Sequence, residues 1–170
     1  MKIKVWYDDG FLDHCTIKTK KKAKTFIKEV MAHIQDQFCQ SSETLGTRFL
    51  IEVFFFTIIY KFYFSPLIIV LLVYLFLQLV EIKYLGEYLP NKNHLAYISS
   101  KVNKSGIADI NILLNHGCGN ATKGRAYTGG LCNPSYNVNQ VCHGGTRDPQ
   151  SVANVCVHEI GHSLGKLKLY

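Results

Sequence analysis

Hydrophobic and polar residues alternate at the beginning of the chain and then recur at helical spacing. The alternation over residues 3–7 predicts a strand, and Asp8-Asp9-Gly10 directly after it predicts a turn. Between residues 23 and 38, apolar side chains fall three and four positions apart and Lys, Glu and Gln fill the other positions, which predicts an amphipathic helix. The apolar positions of this helix are Ala23, Phe26, Ile27, Val30, Ile34 and Phe38.

Three further apolar runs, at 47–53, 80–85 and 107–114, predict additional strands. The stretch from 117 to 145 is rich in glycine, shows little periodicity and holds three of the six cysteines. Because a structureless loop of this length is unusual in a compact domain, we expect disulfides or packing to order it.

The last predicted element is a helix with clear start signals. Asp148 is a good N-cap, and Pro149 suits the first helical position. Apolar residues at steps of four, three and four then predict one buried stripe, with His158 and His162 on a neighbouring face. The predicted stripe consists of Ala153, Val157, Ile160 and Leu164.

A hydrophobic segment at 54–80 interrupts this pattern of strands and helices, and its last nineteen residues, 62–80, are uncharged. That length would cross a bilayer, and 62–80 could then associate with a membrane. A single crossing would, however, separate two halves that must share a core. The alternatives are a buried hairpin turning at Ser65-Pro66 and an insert foreign to the fold, such as a retained intron. We favour the insert, because its removal brings 47–53 close to 80–85 as neighbouring strands. The hypothesis is one domain over 1–170, interrupted at 54–80.

Composition adds two expectations. The formal net charge of +7 comes largely from a lysine run at 18–28, for which we favour a solvated helix face and no nucleic-acid partner. Six cysteines and two glycosylation sequons, at 103–105 and 120–122, favour an oxidising, secretory setting, with the disulfide pairing left open. Residues 1–11 contain no signal-peptide run, so we expect the true beginning of the protein to lie upstream.

The chemistry of the chain is indicated by His158-Glu159-Ile160-Gly161-His162 on the last helix. Residues four apart share a helix face, so both imidazoles can point at one metal ion. Glu159 is one step round the helix, where its carboxylate can act as the general base on a metal-bound water. The spacing predicts a zinc site with His158 and His162 as ligands. The remaining histidines show no ligand spacing: His14, His33, His94, His116 and His143.

With HEIGHSLG as its most specific motif, the chain resembles the metzincin zinc endopeptidases. The nearest type is the reprolysin (adamalysin) type of venom metalloproteases and disintegrin-metalloproteases. VWYDDGF resembles the opening strand of that domain, KAKTFIKEVMAHIQDQF its first long helix, and ADINILLN a strand of its sheet. GRAYTGGLC resembles the Gly-rich edge segment that lines the substrate cleft. The resemblance implies an α/β (α+β) fold, with a mixed twisted sheet packed with helices and cut short at the zinc-site helix. It also implies Zn²⁺, protein or peptide substrates and an extracellular location.

By the same resemblance, Gly165 is the turn that leads to a third zinc ligand, which in the family is a His three residues after the Gly. Here that position is Lys168, a poor ligand because it is charged near neutral pH. The family's downstream methionine turn and final helix have no counterpart before Tyr170. We therefore expect an impaired metalloendopeptidase. The alternatives are a catalytically inactive, protease-like binding module and a membrane-anchored protein with a protease-like tail.

Overall fold

A computed structural model describes residues 1–14, 17–38, 40, 78–86, 95–102, 108–116, 122–131, 133–142 and 148–165. Four strands run parallel in the order β2-β1-β3-β5, and β4 pairs antiparallel with β5 at the edge. This mixed sheet, packed with helices, confirms the predicted α/β fold class. The strands are β1 (Lys2–Tyr7), β2 (Gln78–Tyr84), β3 (Ile110–Asn115), β4 (Gly124–Arg125) and β5 (Val138–Cys142). The helices are α1 (Asp9–His14), α2 (20–38), α3 (Leu95–Val102) and α4 (Pro149–Ser163).

The first strand and the long helix are confirmed, but the turn predicted at Asp8-Asp9-Gly10 is wrong. Helix α1 begins there because Oδ1 of Asp8 accepts a hydrogen bond from the backbone N–H of Phe11 at 2.9 Å. This bond satisfies one of the N–H groups that every helix start leaves unpaired. In α2, the predicted apolar face is inside: four of its residues are buried, and Phe26 and Phe38 are partly buried.

The strands predicted at 80–85 and 107–114 are confirmed as β2 and β3. Strand β2 begins at Gln78, so the last three residues of the hydrophobic segment 54–80 belong to the sheet. The run at 47–53 and residues 54–77 lie outside the described residues. The glycine-rich stretch contains β4 and β5, and α3 follows β2, three elements that the sequence pattern does not predict.

Both faces of the sheet are covered by helices. On one face, α1, α2 and α4 enclose a core that includes Ile3, Val5 and Ile112. On the other, α3 packs Ile98 against Trp6 and further residues of β3 and β5. A strand covered on both faces buries all of its side chains. The alternation that predicted β1 therefore does not separate a buried face from an exposed one, because both faces of the strand are buried. The polar residues of the central strands, such as Lys4 and Asn111, are buried as well.

Within the described part of the chain, no helix has the length and apolar character needed to cross a bilayer. The predicted span at 62–80 falls outside those residues, apart from the portion that forms the start of β2.

Candidate metal centre

Helix α4 begins as its sequence predicts. The Asp148 carboxylate accepts hydrogen bonds from the backbone N–H groups of Gln150 at 3.1 Å and Ser151 at 3.0 Å. Pro149 occupies the first turn, where its missing N–H costs nothing. The N-cap is thus confirmed, and it fixes where the helix starts relative to the two histidines further along.

The face that α4 buries differs from the predicted stripe. Ala153 and Ile160 are buried as expected, but Val157 is only partly buried and Leu164 is 38% exposed. Leu164 is the C-cap, one residue beyond the last helical residue Ser163, so it does not continue the buried stripe. The inward face is completed by residues that the pattern overlooked: Val152, Cys156, Glu159, Gly161 and Ser163.

The end of α4 is held from two sides. Gly165 has a φ of +86°, a left-handed conformation that glycine adopts without penalty, and its N–H donates to the His162 carbonyl at 2.8 Å. From the β4–β5 connection, Gly129 N–H donates to the same carbonyl at 2.9 Å, and Leu131 N–H donates to the Ser163 carbonyl at 3.1 Å. The Ser163 hydroxyl donates to Oδ1 of Asn139 on β5 at 2.6 Å. These contacts anchor the histidine-bearing turn of the helix to the sheet.

The side chains of His158 and His162 converge. Their Nε2 atoms lie 3.1 Å apart and the ring planes are nearly perpendicular, at 88°. Two nitrogens about 2.0–2.1 Å from a tetrahedral zinc ion would lie about 3.3 Å apart. The pair therefore fits two positions of such an ion. His158 is exposed and His162 is half-buried, so the point on which they converge is open to solvent.

Glu159 follows His158 directly, about 100° round the helix, on a side of the turn that is enclosed. Its side chain is only 4% exposed, and this burial raises the pKa of the carboxyl to about 7. Gly124 of β4 packs directly against it: a Cβ built on this glycine would come 2.4 Å from Oε1 of Glu159. The carboxyl is thus enclosed between α4 and the edge strand, and it can exchange a proton near neutral pH.

The residues that the structure describes provide no third ligand for the histidine pair. Among the described residues, no group of three His, Cys, Asp or Glu side chains is arranged to hold a metal ion. Lys168 lies outside those residues. Two of the histidines that show no ligand spacing are in the described part of the fold outside α4: His33 lies in α2 and His116 lies directly after β3. Cys156, one turn before Glu159, is a buried free thiol whose pKa is raised by burial.

Gly124 is the site residue that sequence reasoning did not single out. It belongs to the GRAYTGGLC segment that resembles the edge of a substrate cleft, and the structure confirms that β4 is an edge strand. The contact with Glu159, however, depends on how β4 crosses α4.

Residues 77–166 match the model of the metallopeptidase family M12B, reprolysin-like. No protein with curated annotation matches the chain. The family match spans more than half of the chain and includes β2, α3, the rest of the sheet beyond β1, and all of α4. The chain therefore belongs to the reprolysin-like M12B metallopeptidase family.

Proposed function

We propose that this chain is a zinc-dependent endopeptidase domain in which His158 and His162 hold the metal and Glu159 is the general base. The observation that carries the proposal is the 3.1 Å separation of the two Nε2 atoms, on the same helical turn as a buried carboxyl. Membership of the M12B family supports it, because metallopeptidases of this family are zinc-dependent.

When bound, zinc would polarise the peptide carbonyl and lower the pKa of its water. The residues of this chain supply the rest. The two imidazoles would hold the metal in their neutral form. The Glu159 carboxylate takes a proton from the attacking water and later gives it to the leaving amine nitrogen. A carboxyl with a pKa of about 7 is suited to both transfers, since it is neither a weak acceptor nor a weak donor near neutral pH.

The substrate class follows from the family and from the place of β4. A protease family implies protein or peptide substrates, and its members are typically extracellular or membrane-anchored. The edge strand β4 borders Glu159 through Gly124, so an extended peptide added to this edge would run past the carboxyl. Such pairing uses backbone hydrogen bonds and leaves sequence preference to the neighbouring side chains.

Lys168 is the reason to expect impaired activity. In the family resemblance it takes the place of the third histidine, and a charged ammonium is a poor zinc ligand. Two protein ligands are one fewer than catalytic zinc sites normally have. The same residue favours the second candidate function, a protease-like binding module without catalysis.

Restoring the third histidine tests the site. We expect Lys168→His to raise zinc affinity by at least about 100-fold, because a third imidazole completes the usual protein ligand set. Lys166→His adds the same side chain two residues earlier and is the matched control. Affinity is measured by competition with a chromophoric chelator, and peptide cleavage is assayed with and without that chelator.

The outcomes separate the possibilities. If Lys168→His gains affinity and chelator-sensitive cleavage while Lys166→His gains neither, the proposed site and chemistry are supported. If it gains zinc without cleavage, the binding module is favoured. A stoichiometric zinc ion and chelator-sensitive proteolysis in the unaltered chain would show that the activity is not impaired. Unchanged zinc affinity in Lys168→His would overturn the proposed ligand set.

A further inference from the structure

The surface around the start of α2 carries a concentrated positive charge. We call it the lysine surface; all six of its lysines are exposed, and residues 14–28 contain no Asp or Glu. None of the six forms an ion pair with a carboxylate among the described residues. Asp13 and Glu29, both exposed, border it at either end. The lysine surface consists of Lys18, Lys20, Lys21, Lys22, Lys24 and Lys28.

The fold presents these charges as a stripe. Thr19 caps the helix: its Oγ1 accepts from Lys22 N–H at 3.3 Å and its carbonyl from Ala23 N–H at 3.0 Å. Lys21, Lys24 and Lys28 follow at steps of three and four, so they share one outward face over about 10 Å of helix. Lys20 extends the stripe towards β2, with its Nζ 3.9 Å from the ring centroid of Tyr84.

Helix stability does not explain this arrangement. The first turn of a helix carries a partial positive charge. Acidic side chains there stabilise the helix, and lysines there destabilise it. Lysines three and four positions apart also repel each other, as Lys20 and Lys24, Lys21 and Lys24, and Lys24 and Lys28 do here. The apolar residues on the inner face of α2 already secure the helix to the core. The lysine surface therefore works against the fold that displays it, which is expected of a binding surface.

We propose that the lysine surface binds a linear sulfated polysaccharide. A row of exposed ammonium groups is complementary to a chain of sulfates. An anionic bilayer is disfavoured, because the apolar face of α2 is buried in the core and cannot insert, and because anionic lipid is concentrated in the cytoplasmic leaflet. Members of this family are typically extracellular or membrane-anchored. The same location disfavours nucleic acid, which a row of lysines would contact through its phosphates.

The test is calorimetric titration of the full chain with a size-defined heparin oligosaccharide at several NaCl concentrations. The triple variant Lys21→Gln, Lys24→Gln, Lys28→Gln should bind about 10- to 100-fold more weakly. Its slope of log affinity against log salt should shrink by about two to three. The matched control is Lys2→Gln, Lys101→Gln, Lys123→Gln, which removes the same charge from exposed lysines elsewhere and should bind like the unaltered chain.

Urea unfolding of both triple variants shows whether they remain folded. Because the stripe opposes the helix dipole, its variant should unfold at the same or a higher urea concentration than the unaltered chain. Failure of the unaltered chain to bind heparin overturns the proposal. So does an equal loss in both triple variants, which would reflect net charge alone. Tighter binding to phosphatidylserine vesicles or to duplex DNA at the same salt would overturn the assignment to a sulfated polysaccharide. None of these readouts depends on zinc or on peptide cleavage.

Discussion

Glu159 can pack against the edge strand because residue 124 is a glycine and has no side chain. The carboxyl is 4% exposed and lies against the backbone of β4, where residue 124 is a glycine. A Cβ at that position would lie 2.4 Å from Oε1 and 2.7 Å from both Cδ and Cγ of Glu159. Real Cβ atoms do not approach other atoms so closely. Because the carboxyl is enclosed, it has little room to swing aside. Gly124 therefore sets how closely the edge strand can approach α4.

We expect Gly124→Ala to lower the free energy of unfolding by about 1–3 kcal/mol, the usual cost of overpacking a well-filled site. The measurement is urea denaturation of the metal-free chain. The control is the same substitution in a Glu159→Ala background, where the clashing atoms are gone. There the cost should fall below about 0.5 kcal/mol, because coupling between contacting residues is lost. An equal cost in both backgrounds would mean that the contact with Glu159 is not what excludes a side chain at position 124.

At this scale, the sequence predicted the convergence of the two imidazoles better than it predicted the surroundings of Glu159. The four-residue step between His158 and His162 is a local property of a helix, so it could be read directly and agrees with the convergence of the rings. The burial of Glu159 could not be predicted from the sequence in this way. It depends on Gly124, thirty-five residues earlier in the chain, and on the course of β4 across the helix.

The pairing of β2 with β1 includes a charged contact inside the sheet. Lys4 and Glu81 are partners in the parallel register, and Nζ of Lys4 lies 2.5 Å from Oε2 of Glu81. Lys4 is 2% exposed and Glu81 47% exposed, so an almost fully enclosed ammonium meets a carboxylate at the edge of the sheet. The hydrogen bond from Lys4 lowers the pKa of Glu81. A lowered pKa means that this contact stabilises the fold above the unfolded-state pKa and is lost as the pH falls through the folded-state value.

Neutralising the carboxylate tests whether this contact holds the edge strand. We expect Glu81→Gln to lower the free energy of unfolding at pH 7 by about 1 kcal/mol, a modest value because Glu81 is half exposed. The difference from the unaltered chain should begin to shrink below about pH 4.5, where the glutamate of the unfolded chain takes up a proton, and should be lost below the lowered folded-state pKa. Urea denaturation at pH 7, 5 and 4 measures it. Glu29→Gln, on the exposed side of α2, is the matched control and should change little at any pH. A difference that persists unchanged at pH 4 would contradict the ionic explanation.

Among the elements, those with a long or regular pattern were predictable and the short ones were not. Helix α2 repeats its apolar spacing over about four turns, and packing and propensity agree there. Strand β5 consists of only five residues, two of them polar, and all five are buried because α3 and α4 pack against the strand. Its sequence, VNQVC, does not show the apolar run of a buried strand. Helix α1 was missed for a different reason: Asp8 and Gly10 are typical of turns, yet Asp8 serves as an N-cap.

For the whole molecule, the open question raised by the sequence is how 54–80 relates to the domain. The structure assigns 78–80 to β2, and the family match begins at residue 77. We therefore propose that the part foreign to the domain is 54–77. After its removal, residues 39–53 would still connect α2 to β2. That connection can span up to about 50 Å, whereas a compact chain of this size is only about 40 Å across.

We expect a chain lacking 54–77 to remain soluble without detergent and to unfold in one cooperative urea transition, because the sheet and its covering helices are kept. Deleting 78–84 instead removes β2 from the edge of β1 and should abolish that transition, which makes it the control for a deletion that damages the fold. Solubility is measured by sedimentation, and membrane attachment by carbonate washing of membranes from expressing cells. If the deletion of 54–77 also abolishes cooperative unfolding, the segment is part of the core, as in a buried hairpin. If the unaltered chain resists carbonate extraction and the deleted chain does not, the segment is a membrane anchor.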